Sequence, residues 1–428
     1  MTGSDVTARR NLRTVVVLAS AAIALVVAAC APAPGGGGGT TTTTTSSVPG
    51  GSTTTTTTTS IPGAGVAGTV VAGRQHNCFL RTDGTVRCWG GNSFGQLGDG
   101  TTTSSATPVV VGGLTGVTRI AAGGDHTCAI RTDQTVWCWG NNASGQLGDG
   151  STTNSSVPVA VFNLPAPAVD VTAGGSHTCV IRSTGGASCW GDNFSGQLGT
   201  GSNTSASTPR SVSGLSGTTS IAAGDAHTCA VAAGAVKCWG ANVSGQLGDG
   251  TNGDANVPRV VSGVSAPAAV TAGASHSCVR TAGGLVQCWG ENIYGQLGDG
   301  AVLPPPPQEG DPPPPNINSN VPRPVLGITG AIAVDGGADH TCAVLSNGTA
   351  QCWGRDDVGQ LGDGLTTTRS TAAPVTYFAA GTSVAAGDAH TCASRQVNQV
   401  WCWGDNASGQ LGPNGGAGST IQIAVTGL

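Results

Sequence analysis

Every histidine in this chain lies two residues before a cysteine, and each of those cysteines is followed by a second one that directly precedes a tryptophan. The histidines are His76, His126, His177, His227, His276, His340 and His390. The cysteine pairs are Cys78 with Cys88, Cys128 with Cys138, Cys179 with Cys189, Cys229 with Cys238, Cys278 with Cys288, Cys342 with Cys352 and Cys392 with Cys402. Three chemistries suit such a set. His-x-Cys puts an imidazole and a thiol on one face of a strand, as a zinc ligand pair would need. The cysteines themselves could be buried free thiols, or they could be oxidised in pairs. Loop lengths favour disulfides. A three-residue loop such as Thr82-Asp83-Gly84 sets Cys78 directly opposite Cys88. Gly84, Gly185, Gly284, Gly348 and Asn398 occupy the loop position that needs a left-handed backbone; Gln134 does not suit it and implies strain or a different turn. The fourth pair is one residue closer, and a two-residue loop, Ala233-Gly234, restores the facing arrangement. Each such bond closes a short loop and should stabilise by about 2–3 kcal/mol.

The tryptophans after the second cysteines are Trp89, Trp139, Trp190, Trp239, Trp289, Trp353 and Trp403. Neighbouring strand residues face opposite ways, so the cystine covers one face of each sheet and the indole leaves the other. Packing between sheets is the expected role, with a carbohydrate platform as the alternative. Trp137 and Trp401 are extra and are candidates for surface or packing roles.

These side chains must be positioned by a repeat of about 50 residues. In the first unit, Val70 to Ala72, His76 to Arg81, Thr85 to Trp89 and Pro108 to Val111 suit short strands, punctuated by Gly, Asp, Asn and Ser. A four-stranded sheet has two apolar faces and cannot bury both alone. Seven stacked around an axis bury them against each other, predicting an all-β, seven-bladed β-propeller over 64–428. Thr69 to Ala72 and Thr420 to Val425 supply strands at the two ends, and the expectation is that both could contribute to one closing blade. An N-x-x-G-Q-L-G turn closes most units, with Asp357 read as standing in for its Asn in the sixth. A following aspartate recurs at Asp99, Asp149, Asp249, Asp299 and Asp363, replaced by Thr200 and Pro413 in units three and seven. No unit has the dense Asp ladder of a dedicated calcium loop, and no metal or cofactor site is expected.

The front of the chain differs in kind. Arg9, Arg10 and Arg13 precede an apolar run from Thr14 to Ala29, too short for a comfortable membrane span and suited to an export signal over 1–29. Val27-Ala28-Ala29-Cys30 resembles the lipobox of bacterial lipoproteins, which implies acylation of Cys30 and a bacterial envelope location facing outward; ordinary cleavage and secretion is the alternative. Residues 30–63 are Gly-, Thr-, Ser- and Pro-rich and read as a flexible tether. A Pro-rich insertion at 303–320 breaks the symmetry between units five and six and should project from the rim as a stiff loop.

Only 9% of residues are charged, Lys237 is the sole lysine, and the formal charge is −5. That excludes a phosphate-backbone binder, which needs clustered Lys and Arg, so no nucleic-acid partner is expected.

The pattern H-T-C-A-[IV]…C-W-G-x-N-x-x-G-Q-L-G-D-G resembles the repeat of the regulator of chromosome condensation family, from about Thr69 to Leu428. The resemblance implies a seven-bladed propeller. The namesake promotes nucleotide exchange on a small GTPase and binds chromatin, and an exported acidic chain meets neither partner. A secreted bacterial propeller with this repeat inhibits β-lactamases, which offers an architectural analogy. The leading expectation is a membrane-tethered binding or scaffold ring, probing an extracellular or envelope protein or glycan, and monomeric. An inhibitor of a secreted enzyme is a special case. The rivals are a structural coat component and a polysaccharide-active enzyme. The latter wants a unique carboxylate pair, and Asp192, Asp225, Asp335, Asp339, Asp388 and Asp405 are the irregular candidates.

Overall fold

Seven four-stranded antiparallel sheets fill the computed structural model, which describes residues 68–301, 317–395 and 398–428, along with two short strands in the Thr-rich segment. In every sheet the strands follow chain order, from the innermost to the outermost. The blades span 69–110, 117–160, 168–211, 218–260, 267–324, 331–374 and 383–424. No helix occurs among the described residues. Thr42–Thr44 pairs antiparallel with Thr56–Thr58 in the segment expected to lack regular structure, in keeping with the strand preference of β-branched residues. The export signal, Cys30 and most of the Pro-rich insertion lie outside the described residues.

The hairpin register is the expected one. Cys78 faces Cys88 and Cys229 faces Cys238 despite the unequal loops. All seven pairs are bonded: Cys78–Cys88, Cys128–Cys138, Cys179–Cys189, Cys229–Cys238, Cys278–Cys288, Cys342–Cys352 and Cys392–Cys402. Gln134 does not change the turn. Its φ is +64°, and its N–H bonds the carbonyl of Arg131 at 2.8 Å, as Gly84 does with Arg81 at 3.0 Å. The blade tolerates a side chain where glycine fits better.

The core lies between blades. Cys78 and Cys88 of the first blade share a buried cluster with Trp139 of the second. The pattern continues around the ring until Cys392 and Cys402 share a cluster with Trp89 of the first blade. All seven indoles are 0% exposed, which removes the carbohydrate-platform alternative. Each instead donates its Nε1–H to a glutamine carbonyl of the preceding blade, as Trp139 does to Gln96 at 2.9 Å.

The ring closes without strand exchange, contrary to the expectation that the two ends could share a blade. The first blade is built wholly from 69–110 and the last from 383–424. Cross-blade bonds substitute: Val70 N–H donates to Ser394 Oγ at 3.2 Å, and Trp89 Nε1 to the Gln410 carbonyl at 2.9 Å.

Candidate functional site

The histidines, which in sequence could pair with cysteine as zinc ligands, are structural in place. Each is 0% exposed, and its Nε2 meets the residue after the histidine of the next blade: His76 to Thr127 at 2.9 Å, His227 to Ser277 at 2.8 Å, and so on around the ring. Thr127 spends its hydroxyl hydrogen on the Gln96 carbonyl at 3.0 Å, so its oxygen must accept from imidazole. The seam fixes the same tautomer independently, because His390 Nε2 meets the Asn77 Oδ1 acceptor at 2.9 Å. Every Nδ1 is left without a partner. Burial lowers all seven pKa values to about 3 or 4, so the imidazoles are neutral at physiological pH.

Just inside these histidines runs a ring of glycines. A Cβ on Gly174 would strike the carbonyl of Gly224 in the next blade and the ring of His177, and Gly387 stands in the same relation to Gly73 and His390. The close approach lets backbone bond backbone between blades, from Arg74 N–H to the Gly124 carbonyl at 3.2 Å round to Asp388 N–H on the Arg74 carbonyl at 3.4 Å.

Within the ring is a channel of about 880 Å³, walled by the innermost strands with Ala, Gly, Val and Thr. Asp335 lies on this wall, held by Thr271 Oγ1 at 2.7 Å and Ala386 N–H at 3.0 Å. Burial pushes its carboxyl up to about 6. At the mouth, the residues one and two places before the histidines converge. Asp125, Asp225, Asp339 and Asp388 bring carboxylates, and Arg74 reaches Asp225 at 3.2 Å and Asp388 at 4.0 Å. Asp388 keeps 47% of its side-chain exposure, yet the concave mouth pushes it up to about 6, by desolvation first and then by Asp225, Asp125 and Asp339. Asp125 and Asp339 are raised mainly by burial too.

The N-x-x-G turns lie at this same end, since Gly91 N–H bonds the Gln75 carbonyl at 2.7 Å. Their two central residues vary and point outward. Phe194 is 86% exposed and Val243 81%, on the third and fourth blades, with Ile293 exposed on the fifth; Phe94 and Val358 are exposed in the equivalent turns of the first and sixth blades. Arg355 joins the rim to the mouth through Asp357 at 2.6 Å and Asp339 at 3.3 Å, and lies over the Tyr294 ring at 5.1 Å.

Of the irregular aspartates, the fold gathers Asp225, Asp339 and Asp388 at the mouth and Asp335 on the wall. Asp192 and Asp405 do local work, accepting from the Nε2 of Gln197 at 2.6 Å and Gln410 at 2.7 Å. Sequence reasoning missed Arg74 and Asp125, whose only signal was their fixed offset from a histidine. It also misplaced the sixth-unit substitution. The carboxylate taking the Asn role is Asp356, which accepts from Leu361 N–H at 3.0 Å as Asn92 accepts from Leu97 at 2.9 Å. Asp357 is one of the two outward residues. Trp137 and Trp401 are partly buried, under Arg131 at 5.8 Å and Arg395 at 4.3 Å.

A seven-bladed ring whose repeated residues are all spent on its own closure defines a propeller of the regulator of chromosome condensation class. The RCC1-like domain profile matches residues 33–309, and the RCC1 repeat matches 283–344, 331–360 and 382–410; the chain belongs to this family. No curated relative matches it. Among solved structures, yeast RCC1 (Prp20) bound to Kap60 is 21% identical, with a TM-score of 0.70 over 81% of this chain and 85% of that one. Prp20p from Saccharomyces cerevisiae is 21% identical, with a TM-score of 0.71 over 82% and 88%. Human WBSCR16 is 22% identical, with a TM-score of 0.67 over 80% and 89%. At these identities the likeness is one of fold. The seven cystines further mark a chain suited to an oxidising, extracytoplasmic environment.

Proposed function

We propose that this protein is an envelope-tethered binding ring, held by an acylated Cys30 and a Thr-rich tether, that receives a protein partner on its loop face. The observation that carries the reading is the contrast between inside and outside. The repeated His, Cys and Trp are buried, while the turn residues that vary from blade to blade are exposed around the mouth of the channel. There an acidic mouth adjoins an apolar arc led by Phe194 and Val243. Isolated exposed apolar residues are ordinary, but neighbouring ones beside a charged concavity suit a partner presenting basic and apolar side chains together. The yeast relative Prp20p is described as binding Gsp1p and histones, so a ring of this fold can serve as a protein-binding body. A secreted enzyme covered by the loop face would be one form of such a partner.

Capture tests this. The disulfide-intact ring, immobilised and exposed to envelope and secreted fractions of its source, should retain a saturable partner identifiable by mass spectrometry. Retention of nothing above a blank surface would sink the reading.

A further inference from the structure

The sixth blade carries a carboxylate where its six sisters carry an amide. In the first blade Asn92 Nδ2 donates to the carbonyls of Thr101 at 3.2 Å and Thr103 at 3.1 Å, and approaches Asp99 Oδ1 at 3.4 Å. Asn142 repeats this with Ser151, Thr153 and Asp149, the last at 3.2 Å. Asn292 lies 3.2 Å from Asp299. The slot is therefore lined by acceptors, and an NH2 group suits it.

Asp356 puts oxygen there. The loop keeps its register, because Asp356 N–H meets Thr368 Oγ1 at 3.3 Å just as Asn92 N–H meets Ser104 Oγ at 3.2 Å. The carbonyls of Leu365 and Thr367 and the carboxylate of Asp363 are thus the counterparts of the acceptors around Asn92. Asp356 is 0% exposed; its Oδ1 accepts from Leu361 N–H at 3.0 Å and the Thr367 N–H also faces its carboxylate, while its Oδ2 completes no hydrogen bond. Arg369, at a position held by Ser or Ala in the other blades, bonds Asp363 Oδ2 at 2.7 Å. One guanidinium faces two carboxylates. The neighbouring Asp357 turns away to Arg355 and Gln360 and adds nothing to the balance.

We propose that this slot is a site for a hard, oxygen-preferring cation of the calcium class, bound by Asp356 Oδ2, Asp363 and the loop carbonyls of Leu365 and Thr367, with water completing the shell. Such a cation replaces the missing amide hydrogens and offsets the second carboxylate. The exposed loop from Gly364 to Thr367 leaves a path for entry. Burial, with the charge of Asp363 adding to it, pushes the Asp356 carboxyl up to about 7, as expected of an anion lacking its counter-charge.

The full chain with intact disulfides provides the test, using calcium chloride alone as the probe. Its thermal midpoint should rise by about 1–3 °C, saturating between roughly 0.1 and 1 mM calcium, the range of extracellular modules. Asp356→Asn, which restores the residue the other blades use and so should fold, should lose the response. An unchanged midpoint in the wild type would overturn the proposal, as would an equal response in Asp356→Asn. If calcium does nothing while Asp356→Asn removes a pH dependence between about 5 and 8, a proton fills the slot and the cation is wrong.

Discussion

Asn77 is the single departure from Thr or Ser among the seven partners of the histidines, and it sits at the seam. It does with an amide what Thr127 does with a hydroxyl, accepting from His390 and donating Nδ2 to the Gln410 carbonyl at 2.9 Å. Asn77→Ala would leave the buried His390 imidazole N–H unpaired and remove one of the two donors to the Gln410 carbonyl, which Trp89 Nε1–H still reaches at 2.9 Å, and should cost about 1–3 kcal/mol in denaturant unfolding, whereas Asn77→Thr should cost less. The histidines also set the pH response. Their folded pKa values of about 3 or 4 lie below the unfolded value near 6.5, so in that window the unfolded chain binds more protons. Stability is full above pH 6.5 and falls as pH drops towards 4, by up to about 1.4 kcal/mol per pH unit for each histidine. Asp335 and Asp388, raised to about 6, and Asp170 and Asp356, raised to about 7 by burial, act with the opposite sign and blunt the effect. The urea midpoint should be clearly lower at pH 5 than at pH 7. A flat profile would mean that the imidazoles are not buried and neutral.

At the scale of the element, the hairpin was the most legible part of the chain. Cysteine spacing, loop length and the Gly at the left-handed position all pointed to one register, and the fourth blade kept it with a shorter loop. The second loop is the exception that measures the rule. Gln134→Gly should stabilise by about 0.5–1 kcal/mol by relieving a left-handed non-glycine residue; a loss of stability would show that the turn is held by the Gln side chain instead. Removing one cystine, as in Cys229→Ser with Cys238→Ser, should cost about 2–3 kcal/mol. The sixth-blade turn was misread. The N-x-x-G spacing itself puts the Asn position at Asp356, three residues before Gly359, so the expectation of Asp357 was one residue out, as the Leu361 N–H bond to Asp356 shows.

For the whole molecule, the number of blades could be counted from the repeats, but closure and the mouth could not. Arg74 and Asp225 stand 151 residues apart and meet only because the ring closes. Their fixed offset from a histidine is the only local signal, and it does not say which residues meet, since the pair before the histidine changes around the ring and repeats only as Asp-Ala in the fourth and seventh blades. Closure by hydrogen bonds rather than a shared blade was equally hidden, because terminal strands of either arrangement read alike. Cys30→Ala should move the protein from the membrane to the soluble extracytoplasmic fraction if the tether reading is right; an unchanged membrane association would refute it. The central claim, that the loop face is the recognition surface, is tested most directly by capture with paired variants. Phe194→Asp with Val243→Asp alters the loop face, and Thr132→Asp with Thr184→Asp alters exposed hairpins at the opposite end. The account predicts that the first pair abolishes retention of the partner and the second leaves it intact. Equal retention by both, or loss only with the hairpin pair, would contradict it.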